Sequence, residues 1–306
     1  MFRYLLTALL LIPAAFAQPA KVADVEAAYN KLKEAEANKD PDAVLEWARK
    51  TSVAAKQVTS QPKPGAPGDE LDAWKRDTDY SSQVDIYTEY SIQAQVASGL
   101  APDKTIALTE ALIDQNPKSQ YIGLVFNMYL GALQKAGQTA KIVPAAEKRI
   151  ANDPSNEDLL LVLADGYMNQ KNADKSIQFA NQLVQTMSGK AKPEGVSDAD
   201  WEKRKNTMLS RGYWMAGINY GTQNKYPESD KSLRAALPLI QGQPDLLGPA
   251  LFYLGVANYS MAKPAKDKKL AIEAVKFCDQ SAAIKSPFQA QAQKNALSIR
   301  REFLIK

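Results

Sequence analysis

The residues best suited to chemistry are three carboxylate pairs, Asp69-Glu70, Glu157-Asp158 and Asp198 with Asp200, and one thiol, Cys278. Two neighbouring carboxyl groups can divide general acid and general base work, which is all that a carboxylate-type glycoside hydrolase or lyase needs. The chain contains no histidine. Ser-His-Asp and Cys-His nucleophilic sites are therefore excluded, as is zinc held by the usual Cys and His set. The sequence has no phosphate-binding loop, nucleophile elbow or cluster of metal ligands, so neither a cofactor nor a metal is expected. Cys278 stands alone and can form no internal disulfide. Its apolar neighbours in AVKFCDQSAAI predict a small buried hydrophobe.

Each carboxylate pair falls at the expected start of a helix, where negative charge meets the positive end of the helix dipole. That role explains the pairs without catalysis, and a non-catalytic protein is expected. The elements that carry them are helical throughout. Apolar residues recur at three- and four-residue spacing, and runs of period two are absent. The pattern predicts helices over 22–38, 41–59, 70–98, 103–115, 119–136, 139–151, 156–170, 173–187, 198–223, 227–240, 244–262, 268–284 and 287–304. Asp153-Pro154-Ser155 stops one helix and offers Ser155 as the cap of the next, with Asp158 three residues on. Ser197 and Asp200 repeat that arrangement before Trp201. Two stretches read as loops, SQPKPGAPGD at 60–69 and SGKAKPEGV at 188–196.

The chain begins MFRYLLTALLLIPAAFAQPA. Arg3, an apolar run over 4–16 and the small-x-small sequence Ala15-Phe16-Ala17 form a secretory signal peptide, with cleavage expected after Ala17. The run is shorter than the roughly 20 residues that span a bilayer. No later segment is apolar enough to span one, so a periplasmic or secreted protein without an integral membrane span is expected. The expected division is a signal peptide at 1–17, a helical hairpin at 18–60, a Pro- and Gly-rich linker at 61–69 and a helical array at 70–306. The net charge of +4 is too small to imply nucleic acid. It is unevenly spread, with ten basic and four acidic residues over 263–306. This segment reads as a solvated surface, or as a contact to an anionic membrane or an acidic partner.

Four segments repeat one pattern. Phe126, Tyr129-Leu130 and Leu133 are followed by Gly137, Ile142, Ala146 and Pro154. Leu160, Leu163-Ala164 and Tyr167 are followed by Asn172, Ser176, Ala180 and Leu183. Tyr213, Ala216-Gly217 and Tyr220 are followed by Tyr226, Ser229, Leu233 and Ala236. Leu251, Leu254-Gly255 and Asn258-Tyr259 are followed by Ala274, Cys278, Ser281 and Pro287. These segments resemble the tetratricopeptide pattern W-x2-L-G-x2-Y…A-x3-F…P. Leu130 and Ala164 are 34 residues apart, the period of that family. No first helix carries the motif's tryptophan in its usual place, and unit lengths vary after Pro154, which predicts an irregular array.

The resemblance implies an all-α fold, a right-handed superhelix of antiparallel helical hairpins over about residues 86–306. Whether the hairpin before residue 60 belongs to the array stays open. The resemblance also implies that first helices line a concave groove that receives a peptide or a partner's helix. Its lining would be Asn127, Gly131 and Gln134, then Leu161, Asp165 and Met168, then Trp214, Ile218 and Gly221, then Phe252, Val256 and Tyr259. The last two sets would suit a peptide with apolar anchors, unless neighbouring helices or the last helix cover them. The expected function is thus a protein–protein interaction module or scaffold of the cell envelope. An assembly factor docking through its convex face or basic last segment is the alternative, with a carboxylate-based glycan-active enzyme behind it.

Overall fold

The computed structural model describes residues 21–306, and among them the chain is all α, with no strand. The expected signal peptide lies outside the described residues. Thirteen α-helices follow one another: α1 (Val22–Ala37), α2 (Pro41–Thr59), α3 (Asp69–Ala97), α4 (Pro102–Gln115), α5 (Ile122–Lys135), α6 (Ile142–Ile150), α7 (Glu157–Asn169), α8 (Ala173–Gly189), α9 (Asp198–Thr222), α10 (Tyr226–Ala236), α11 (Pro244–Ala265), α12 (Lys268–Ala282) and α13 (Gln289–Phe303). Within 21–137 and within 138–306, helices pack in turn on their neighbours in sequence, as in a solenoid. Among the described residues no helix is long and apolar enough to cross a membrane.

The helix starts follow from their caps. Asp40 accepts from Asp42 N at 3.0 Å and Ala43 N at 3.1 Å, with Pro41 pre-set for the first turn. Ser197 accepts from Asp200 N at 3.1 Å, as its spacing predicts. At α7 the cap is Asn156, not Ser155: the Asn156 amide oxygen accepts from Leu159 N at 3.1 Å. Both residues are good caps, and Ser155 is taken up in the turn after Pro154.

The chain forms two compact units, one ending at Gly137 and the other beginning at Gln138. In the first unit, Val25 of α1, Ala55 and Val58 of α2 and Val84 of α3 share one buried cluster. The stretch at 61–69 is therefore a connection inside one body. Gln61 O accepts from Trp74 Nε1 at 3.2 Å, which holds the start of that connection on α3. Ala55 and Val58 of α2 and Val84 of α3 thus pack together across the Pro- and Gly-rich stretch.

One turn geometry recurs in four hairpins. Lys39, Lys171, Asn224 and Lys266 are left-handed, with φ of 54°, 58°, 60° and 51°. Each ends the first helix of a pair, and the next residue donates its N–H to a carbonyl five residues back. The bonds are Asp40 to Ala35 (3.1 Å), Asn172 to Tyr167 (2.9 Å), Lys225 to Tyr220 (2.9 Å) and Asp267 to Ala262 (3.0 Å). The hairpin α1–α2 thus turns as α7–α8, α9–α10 and α11–α12 do.

The second unit repeats its helix crossings as well. Ser176 Oγ donates to Ala164 O, and Ser229 Oγ donates to Gly217 O, each at 2.8 Å and each twelve residues on. A Cβ on Gly217 would meet Leu233 Cγ at 2.5 Å, and one on Gly255 would meet Cys278 Sγ at 2.5 Å. The small residues of the repeat pattern are where the second helix presses closest. Asn219 and Asn258, both buried, then tie each hairpin to the one before: Asn219 Nδ2 donates to Ser176 Oγ at 2.9 Å, and Asn258 Nδ2 to Asp230 Oδ1 at 2.6 Å. Leu160, Leu183 and Met187 pack with Trp201 and Met208 in one core, and Leu233, Ile240 and Leu254 with Phe277 in the next. Each such aliphatic side chain contributes about 1.5–3 kcal/mol by leaving water.

Candidate interaction surfaces

In the second unit the first helices α7, α9 and α11 bring together several of the residues expected to line a groove. Leu161, Met168 and Trp214 are half-buried and pack around Ala164 and Ala216. Asp165 accepts from Arg211 Nη2 at 2.8 Å and from Asn169 Nδ2 at 3.1 Å. The Arg211 guanidinium also lies 5.7 Å from the Trp214 ring centre. Trp214 Nε1 donates to Leu246 O of α11 at 2.9 Å, which fixes the indole between two hairpins. Ile218 and Gly221 are buried: Ile218 joins the core of Leu233 and Leu254, and a Cβ on Gly221 would meet the Tyr253 ring. Arg211 stands three residues before Trp214, as Asp158 stands three before Leu161, and that register could have identified it from sequence.

At α11 the expected row meets other aromatic side chains and the last helix. Phe252 packs on Phe288, with ring centres 4.6 Å apart. Tyr259 OH donates to Glu302 of α13 at 2.5 Å, and its ring meets Phe303 edge-on. Val256 and Tyr259 line a cavity of about 250 Å³ together with Ser260 of α11 and Asn295, Ser298 and Ile299 of α13. Over this stretch α13 covers part of the row.

In the first unit the expected residues Asn127 and Gln134 lie on α5 and are exposed, and Gly131 between them is half-buried. Sequence reasoning missed their neighbours. Leu124, 67% exposed, and Met128 lie on the same outer side of α5, and Ile86 and Tyr90 lie exposed on α3. Tyr90 meets Tyr121, just before α5, with ring centres 6.1 Å apart. A row of rings continues through Tyr87 (5.7 Å) to Tyr29 of α1 (5.3 Å). Four large apolar side chains on two adjoining helices, with tyrosines beside them, make a surface able to take an apolar segment.

The carboxylates of two of the pairs are held by cations or a hydroxyl. Glu157 is buried and accepts from Lys190 at 2.5 Å and Arg204 at 3.1 Å, while Asp158 accepts from Arg204 at 2.8 Å. Burial works to raise the Glu157 carboxyl. The bonds from Lys190, from its own backbone and from Arg204 outweigh that and hold it below the usual range. Asp200 accepts from Ser197 Oγ, Asp198 pairs with Lys192, and Asp69 and Glu70 stand in the first turn of α3. A different carboxylate is raised: Asp85 of α3, by burial first, with Glu89 adding to it against Ser52 and Lys56. Asp85 accepts from Ser52 Oγ at 2.5 Å, and buried Glu89 accepts from Asn116 at 2.8 Å. Among the described residues no three His, Cys, Asp or Glu side chains gather as a metal site.

No protein-family model matches the chain, and no curated protein matches it.

Proposed function

We propose that this is an exported, non-catalytic binding module built of tetratricopeptide-like hairpins, which captures an apolar segment of a partner protein in the cell envelope. The observation that carries the reading is the exposed row Ile86, Tyr90, Leu124 and Met128 on α3 and α5, beside the expected groove residue Asn127. Leaving such side chains in water is unfavourable, and large apolar groups exposed together on two adjoining helices mark a partner surface. The left-handed turns shared by four hairpins, and the serine-to-carbonyl bonds shared by two, support the repeat resemblance. The first-helix rows of the second unit support a scaffold role, with Trp214 and Arg211 packed as a rigid polar and aromatic surface. The Glu157-Asp158 pair favours binding over catalysis, because Arg204 and Lys190 already neutralise it.

A photo-crosslinking residue placed at Leu124 or Met128 tests the reading, with the same residue at Lys231 on the outside of α10 as control. Positions 124 and 128 should yield one common adduct in the native envelope, absent from position 231. A Tyr90→Ser, Leu124→Ser variant should lose that adduct while keeping its helical circular dichroism. No adduct at either position, or the same adducts at all three, would overturn the proposal.

A further inference from the structure

The second unit carries a surface that partner capture on α3 and α5 does not use. The segment 263–306 has ten basic and four acidic residues, and the structure shows where the four acids go. Asp267 caps α12 by accepting from Lys269 N and Leu270 N. Glu273 is taken by Arg234 of α10, Asp279 by Arg300 and Glu302 by Lys263. That leaves Lys266, Lys268, Lys269, Lys276, Lys285, Lys294, Arg301 and Lys306, all exposed, with no ion pair among the described residues.

Apolar side chains stand among these cations. Lys268, Ile272 and Lys276 follow one another at single turns on α12, and Ile272 is 49% exposed. Lys294, Leu297 and Arg301 do the same along α13, where Leu297 is exposed, and Leu304, the residue after the helix, is 82% exposed. Two contacts fix the two rows side by side. Arg300 Nη2 donates to Asp279 Oδ2 at 2.6 Å, and Lys268 Nζ donates to Leu304 O at 3.2 Å. One outer face of the α12–α13 pair thus mixes unneutralised cations with exposed aliphatic groups.

We infer that this face docks peripherally on an anionic phospholipid surface. Charge complementarity supplies the attraction, since each lysine or arginine held at such a surface raises partitioning about fivefold. The aliphatic groups select a bilayer over a purely polar polyanion, because they gain only where acyl chains or an apolar interface receive them. Lysine stems flanking them can lie along the interface with their ammonium groups in the headgroup layer. The contact is reversible and shallow, as among the described residues no helix is long and apolar enough to span a bilayer.

The test is co-sedimentation of the chain from Gln18 onward with two kinds of vesicle, phosphatidylcholine alone and phosphatidylcholine with about 30 mol% phosphatidylglycerol. Partitioning should be at least about tenfold higher on the anionic vesicles and should fall about tenfold as salt rises from about 0.05 M to 0.5 M. Lys276→Glu with Lys294→Glu and Arg301→Glu should abolish it. Ile272→Ser with Leu297→Ser and Leu304→Ser should reduce it about tenfold, all with helicity retained. Equal partitioning on both vesicles, or none on either, would overturn the inference. So would tight binding to polyglutamate without vesicle binding, which would assign the face to an acidic polypeptide. If the charge-reversed protein fails to fold, the salt series and the aliphatic variant still decide.

Discussion

The hydroxyl of Ser229 reaches the carbonyl of Gly217 across 2.8 Å at the crossing of α9 and α10, where Gly217 brings no side chain. A Cβ there would meet Leu233 Cγ at 2.5 Å and, less movably, Leu233 N at 3.1 Å. Gly217→Ala should therefore destabilise the protein by about 1–3 kcal/mol through forced separation of the helices. Gly131→Ala on α5 is the matched control, since nothing lies within 4 Å of its Cβ position. There the gain in helix propensity should stabilise by up to about 1 kcal/mol. Thermal melts followed by circular dichroism check both. Equal shifts for the two variants would show that the crossing is not tight.

Lys171, Lys39 and Lys266 sit in the left-handed region, where a side chain is disfavoured against glycine. Lys171→Gly should raise stability by about 0.5–1 kcal/mol, and Lys171→Val should lower it by at least as much, because a β-branched side chain fits that conformation worst. Urea titrations should show shifted midpoints with unchanged slopes. A lower midpoint for the glycine variant would mean that flexibility lost in the native turn outweighs strain relieved.

These lysines also show where the sequence became opaque. Asp40-Pro41 and the stretch at 153–156 announce turns by composition, and the helices around them are readable from period alone. Lysine at a left-handed position announces nothing, so the turn shared by α1–α2 with later hairpins is visible only in backbone angles. The small residues Ala164, Gly217 and Gly255 were legible as crossings because their spacing repeats. The surface was less so. Trp214, Ile218 and Phe252 fall on one helical side, but only the packing of Leu246, Leu254 and Phe288 decides how much of each is covered. The cluster of Ser52, Asp85, Thr88 and Gln115 joins residues about thirty positions apart, beyond the reach of any local pattern.

Glu157 and Asp85 give opposite pH dependences. The Glu157 carboxyl is lowered in the folded state, so its contribution is present above the unfolded value of about 4.3 and is lost as pH falls through the lower folded value. Asp85 is raised, so the folded state binds its proton more tightly and stability from this group falls as pH rises through the raised value. Glu157→Gln should be more destabilising at pH about 7 than at pH about 3, and Asp85→Asn should gain on the native protein as pH rises from about 4 to 7. Denaturant midpoints across that range measure both differences. Parallel curves for native and variant proteins would contradict the assignment.

Cys278 lies fully buried with its sulfur where a side chain on Gly255 would stand. Burial is the main cause that pushes its thiol up to about 12, with Asp279 adding and Arg300 opposing. At pH about 8 a thiol of that kind is ionised to about one part in ten thousand, against roughly a quarter for a free cysteine. Reaction with a disulfide reagent should therefore be slow in the folded protein, fast in denaturant, and limited between the two by opening of the α11–α12 hairpin. Gly255→Ala supplies the decisive comparison. Its methyl group must displace the sulfur or part the helices, so labelling should accelerate at least tenfold under native conditions. Rapid labelling of the unaltered protein, or no acceleration in the alanine variant, would show that the sulfur is not held against Gly255.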